Sequence, residues 1–349
     1  MRKTIRRLAA WACCLCMAAG AVTAAWAQET DYAQMERELV EAQRQQLTDG
    51  EPLLTRQDVL PAGQSSVADW YAIAMARCGI GEDYETYLAA LKAYVESAYA
   101  ESGGLSANKA TEWHRVALAV TALGGDAAAF GTKPDGTTID LIADGCYDCV
   151  VEGGPGAQGL NGWIFALLAL DSGNYEIPEN PDAAVQATRQ MYVDELLARA
   201  LPDGGWTLTG GEPDVDITAM TLQALAKYRD QADVTAAVER GLAVLSSLQE
   251  PDGGYVSWGS SNSESVAQVI VALTELGVPL DDERFTKNGI TVEDALLRFA
   301  QENGAFVHVR DGSGGDDGMA TEQAFYALAA IHRAETGETT LYDMTDVMQ

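Results

Sequence analysis

Apolar residues in this chain gather in Ala/Leu-rich runs at helical spacing, with almost no alternating strand pattern. Six runs share one register: WYAIAMA at Trp70, WHRVALAV at Trp113, WIFALLAL at Trp163, TAMTLQAL at Thr218, VAQVIVAL at Val266 and TEQAFYAL at Thr321. They recur about every fifty residues, the length of a two-helix repeat. Each run is apolar nearly all round, which predicts a helix packed on both sides. More highly charged helices are expected between them at 31–47, 84–100, 181–200, 232–249 and 292–302, with a short one near 137–143. One of these, EDYETYLAALKAYVESAYAE, reads as an outer, half-solvated helix. Ser102-Gly103-Gly104, Gly153-Gly154-Pro155, Asp203-Gly204-Gly205, Asp252-Gly253-Gly254 and Gly314-Gly315 punctuate the passage from outer to inner helix. Outer then inner, six times, predicts an all-α fold, an α6/α6 toroid, with an open superhelix as the alternative. The stretch 124–160 is the least regular; 49–62 and 278–292 read as shorter loops.

The two ends change the picture little. Arg2, Lys3, Arg6 and Arg7 precede an apolar run, and Ala25-Trp26-Ala27 is a small-x-small site, so residues 1–27 read as a secretory signal peptide cleaved after Ala27. The expectation is a secreted or extracytoplasmic protein in which 28–349 is one toroid domain with a short C-terminal tail. No other apolar run is long enough to span a bilayer. The chain holds 22 basic and 52 acidic residues, a formal net charge of −30, and loss of the leader's basic residues makes it more negative. That charge opposes nucleic acid and anionic membrane as partners.

Cys78 lies on an Ala-rich helix and reads as a small buried side chain. Cys146-Tyr147-Asp148-Cys149 is a candidate local disulfide, a pair of free thiols or a redox pair. No metal site is expected, because His114, His308 and His332 do not stand at ligand spacing. Asp311-Gly312-Ser313-Gly314-Gly315-Asp316-Asp317 lacks the spacing of a cation loop and reads as a solvated turn.

In a toroid the inner helices run the same way, so their N-termini share one rim. The sequence places Asp69, Glu112, Asn161, Asp214, Asp216, Glu264 and Glu322 there, with Trp70, Trp113, Trp163, Trp206, Tyr255 and Trp258. A carboxylate at a helix N-terminus is first of all a cap, and a tryptophan first of all core. Taken together, an aromatic bowl edged with acids suits an apolar, ring-shaped or sugar-like ligand.

The units LPDGGWTL and LQEPDGGYVSW resemble the Gln-Trp-type repeats of squalene and terpenoid cyclases. GEPDVDITAMTLQALAKY is similar to the DxDD-TA segment of class II terpene cyclases and to a helix of cobalamin-binding intrinsic factor and transcobalamin. Protein prenyltransferase β-subunits share the same toroid. The resemblance covers most of 60–335 as architecture and barely ten residues as a motif. In the cyclases it implies a proton-donating acid at Asp216 and a first motif carboxylate at Asp214; the next motif acid is replaced here by Ile217. The prenyltransferases imply zinc held by Asp, Cys and His and a second subunit, yet Asp144-Gly145-Cys146 falls in the irregular loop. The cobalamin carriers imply corrinoid capture completed by a further β-domain.

Fold resemblance specifies chemistry poorly. The leading expectation is therefore ligand or partner binding at the rim, by an unidentified small molecule or surface partner, without catalysis and without a cofactor. Acid-initiated isoprenoid chemistry at Asp216, corrinoid binding, and glycan processing by Asp69 with Glu112 or Asp216 with Glu264 are the alternatives.

Overall fold

Each outer helix buries a single stripe. In α3 (Tyr84–Ser102) only Tyr87, Leu91, Val95 and Tyr99 are buried, one residue per turn on one face. The inner helices differ: α9 (Ser263–Glu275) is buried from Ser265 to Thr274 without a break. The remaining inner helices are α2 (Ser66–Arg77), α4 (Thr111–Ala122), α5 (Leu160–Ser172), α7 (Val215–Leu225) and α11 (Gly318–Thr336). They pack side by side in the order α2, α4, α5, α7, α9, α11, and α11 returns to α2, closing the ring. Outside it lie α1 (Tyr32–Leu47), α3, α6 (Arg189–Ala198), α8 (Ala232–Leu248) and α10 (Val292–Leu297). In the third repeat a single π-helical turn, Ala143–Tyr147, packs on α4 where an outer helix would stand.

The computed structural model describes residues 30–182, 186–311, 313 and 318–347. The expected leader, residues 183–185, and Gly312 with Gly314–Asp317 lie outside them. Tyr32–Gln349 is one compact unit.

Two outer helices are shorter than their patterns predict. α6 starts at Arg189, capped by Thr188, because Pro178 and Pro181 interrupt the preceding stretch. α10 stops at Leu297, where the chain enters a turn that recurs three times. In that turn Leu201, Glu250 and Gln301 each donate their amide to Gly205, Gly254 and Ala305, at 3.0, 2.9 and 2.8 Å. The sixth turn therefore lies at 301–305, ahead of the Gly314-Gly315 expected to form it.

The residue after each turn is a buried aromatic: Trp206, Tyr255 or Phe306. Thr218 Oγ1 accepts the Trp206 amide at 3.0 Å and donates back to its carbonyl at 3.2 Å. Thr321 does the same with Phe306, at 2.9 and 3.2 Å. At Thr218 and Thr321 the shared register is thus a stitch holding the turn to the helix that follows, whereas Val266 has no hydroxyl and the Tyr255 carbonyl accepts the Asn262 amide at 3.3 Å.

The C-terminal tail closes the end of the ring where the inner helices finish. The Met344 amide donates to Ser172 O on α5 (2.9 Å), and the Tyr342 amide to Glu275 on α9 (3.0 Å). Asp346 accepts from Arg77 of α2 at 2.7 Å and from Arg333 of α11 at 2.5 Å. Inside, Trp70 meets Tyr326 at 5.5 Å, Phe165 at 6.2 Å and Tyr342 of the tail at 6.4 Å between ring centres. Aromatic rings from three inner helices and the tail therefore meet across the axis.

Candidate functional site

A repeated pairing builds the rim. Asp216 and Glu264 each stand two residues before their helix's anchor, Thr218 or Val266. Each is met by the residue two after the buried aromatic of the next repeat. The Ser257 hydroxyl donates to Asp216 Oδ2 at 3.0 Å, and His308 Nδ1 lies 2.9 Å from both oxygens of Glu264. In the third repeat the equivalent residues are Asn161 and Leu208. Leu208 offers no polar group, and Asn161 Oδ1 is buried without a partner.

Asp214 caps α7, its Oδ1 accepting the Ile217 amide at 2.9 Å. Asp216, one residue into the helix, turns inward instead. Burial raises its pKa above the ordinary carboxylate value; the Ser265 and Ser257 hydroxyls oppose that, and the charges of Asp214 and Glu264 reinforce it. Its Oδ1 is buried with no hydrogen-bond partner. Burial thus favours the protonated form of this carboxyl, and Ser265 Oγ, whose hydroxyl acts on it, is likewise buried without a partner.

Asp214, Asp216 and Met220 line a cleft of about 470 Å³ together with Thr207, Thr209 and Trp258. Trp258 sits at the tip of a hairpin formed by β1 (Val256–Ser257) and β2 (Ser260–Ser261). Ser257 and Trp258 are neighbours in sequence: one reaches Asp216, the other is 87% exposed. Trp258 also has φ of +51°, followed by Gly259 at +88°. Hairpin tips of this length favour positive φ at both positions, which Asn-Gly accepts readily and a bulky aromatic does not. Holding Trp there costs on the order of 1–3 kcal/mol, a strain associated with functional sites.

The other expected ligand contacts fall elsewhere. Trp113, Trp206 and Tyr255 are fully buried core residues. Trp113 Nε1 donates to Tyr99 (2.8 Å) and Trp206 Nε1 to Leu196 O (2.8 Å), so the indoles are held inward by both apolar packing and a hydrogen bond. Trp70 packs in the lumen, and Trp163 stacks edge-on against Tyr192. Asp69 accepts from the Gly63 amide, Tyr87 and Arg115, and Arg115 also pairs with Glu112 at 2.9 Å. Asp69 and Glu112 are thereby both engaged by one cation, Arg115. Cys146 and Cys149 are both free thiols, with Cys146 Sγ directed at Ala166 O at 3.6 Å.

Sequence reasoning missed Ser257 and His308 as partners of the acids. Their signal was present as the position two after each turn aromatic, legible only once the aromatic is known to be buried.

No protein-family profile matches the chain, and no curated protein does. Solved structures do. An unsaturated glucuronyl hydrolase from Bacillus sp. GL1, described as responsible for the degradation of glycosaminoglycan, superposes with a TM-score of 0.52 at 14% identity, covering 89% of this chain and 98% of its own. A type II terpene cyclase from Scytonema gives 0.50 at 13% identity, over 87% and 98%. The chain is an α/α toroid, the fold it shares with both of these structures. At such identity the likeness shows fold alone.

Proposed function

We propose that this protein is an exported saccharide-binding toroid, with the cleft between Asp216 and Trp258 as its binding site. The observation that carries the reading is Trp258, an exposed aromatic held at positive φ beside a cleft with threonine hydroxyls and carboxyls in its wall. A flat indole face takes the apolar face of a sugar ring, while hydroxyls and carboxyls take its edges. The surrounding acids and the net charge of −30 favour a neutral glycan over an anionic one. For an isoprenoid substrate the setting is poorer, since Trp70, Phe165, Tyr326 and Tyr342 occupy the axis where a long apolar chain would lie.

Calorimetric titration with a panel of neutral oligosaccharides tests this. Binding is expected, and Trp258→Ala should weaken it at least about tenfold, as loss of a central aromatic contact does. Equal binding by Trp258→Ala, or turnover of a polyprenyl diphosphate without saccharide binding, would overturn the reading.

A second reading is favoured by the free, buried Oδ1 of Asp216. Asp216 would donate a proton to a glycosidic oxygen, and Glu264, oriented by His308, would direct water to the anomeric carbon. It predicts release of new reducing ends by the native protein, lost in Asp216→Asn with binding retained.

A further inference from the structure

Between the π-turn and α6, a second cavity of about 320 Å³ is lined by Cys146, Cys149 and Met191, with Trp163 and Tyr192 as further walls. Three sulfur-bearing side chains from two separated segments thus line one cavity, with the Cys146 thiol resting on Ala166 O at its wall. Cys146 is buried and Cys149 half-buried, and neither is in a disulfide. The π-turn contributes to this arrangement: the amides of Asp148 and Val150 return to Ala143 O and Asp144 O at 2.9 Å each, folding the Cys-x-x-Cys segment back on itself.

We propose that Cys146, Cys149 and Met191 form a binding site for a soft monovalent metal ion, copper(I). The donor set decides the class of ion. Two thiolates and a thioether are soft ligands, which select copper(I) over hard, oxygen-seeking cations. Zinc requires four donors, commonly Cys, His or carboxylate. Among the described residues no group of three or more His, Cys, Asp and Glu side chains is arranged to hold a metal ion. Copper(I) accepts two or three ligands, and the cavity supplies that number. Binding forms two Cu–S(thiolate) bonds, with the thioether as a third, neutral donor. It releases the two thiol protons to solvent without any change of oxidation state. To bind, the Cys146 thiol gives up its weak contact with Ala166 O and turns toward the cavity.

The test is an anaerobic titration of the reduced full-length chain with copper(I) against a chromogenic copper(I) chelator. One ion per chain is expected to leave the chelator, with quenching of tryptophan emission that Trp163→Phe diminishes. Cys149→Ser, chosen because this residue is only half-buried, should lower affinity at least about a hundredfold, and Met191→Leu about tenfold. Cys78→Ser should change nothing, since Cys78 lies outside this cavity. Retention of copper(I) by Cys149→Ser, an unaltered affinity in folded Met191→Leu, or a Cys146–Cys149 disulfide in the protein as isolated would each overturn the proposal.

Discussion

Two adjacent acids on one helix end in opposite roles. Asp214 spends its carboxylate on the Ile217 amide, whereas Asp216 is carried into the ring and left with one unmet oxygen. Burial raises the Asp216 pKa, so ionising it opposes folding. Its contribution to stability is fully present below the ordinary carboxylate pKa of about 4 and is lost as pH rises through the raised value. Asp216→Asn, similar in shape and without charge, should therefore raise the melting temperature at about pH 8 and flatten the profile down to about pH 4. Thermal unfolding across that range measures it, and a variant that parallels the native profile would show that Asp216 ionises freely. Ser257 and Trp258 part in the same way: Ser257 ends β1 and reaches Asp216, while Trp258 stands in the left-handed turn beyond it and is exposed.

At the scale of the element, the outer-to-inner turn is the conserved unit of construction within this chain. The turn bends the backbone, the aromatic that follows enters the core, and in two repeats a threonine on the next helix, Thr218 or Thr321, satisfies that aromatic's amide and carbonyl. Thr321→Val keeps the shape and leaves both Phe306 groups buried and unpaired. It is expected to cost about 1–3 kcal/mol, largely recovered in Thr321→Ser, as read by urea unfolding. The helices themselves were legible from their periodicity, because a one-stripe pattern and an all-round apolar pattern have different burial requirements. Where the expected boundaries failed, at 181–200 and 292–302, local chemistry had overruled periodicity: prolines delay α6, and the Gln301–Ala305 turn ends α10. The third outer helix, weak in the sequence, is a single π-turn.

For the whole molecule, the tail matters more than its short, polar sequence suggests. It bridges the ends of four inner helices and brings Tyr342 against Trp70 in the lumen. Glu275 holds the Tyr342 amide, and burial pushes its pKa up to about 7, against the opposing hydrogen bonds from Tyr342 and Thr340 and the charge of Lys227. A raised carboxyl pKa means that tail docking is fully supported below about pH 4.5 and weakens as pH rises through about 7. Hydrogen exchange at the Tyr342 amide should accelerate between about pH 6 and pH 8 beyond the intrinsic chemical rate, and Glu275→Gln should remove the excess. An excess that survives in Glu275→Gln would assign the pH response to another group. The sequence by itself determined the repeat and the inner and outer helices, since these follow from hydrophobic periodicity and turn chemistry, which are local; between a closed ring and an open superhelix the contact of α11 with α2 decided. It also marked Asp216. Only the tertiary structure decided which aromatics are core and which is exposed, that Asp69 and Glu112 share Arg115, and that Ser257 and His308 pair with the rim acids. Those outcomes depend on contacts between residues far apart in the chain, and burial, which raises the Asp216 pKa and separates core tryptophans from Trp258, is a property of the closed ring rather than of any segment.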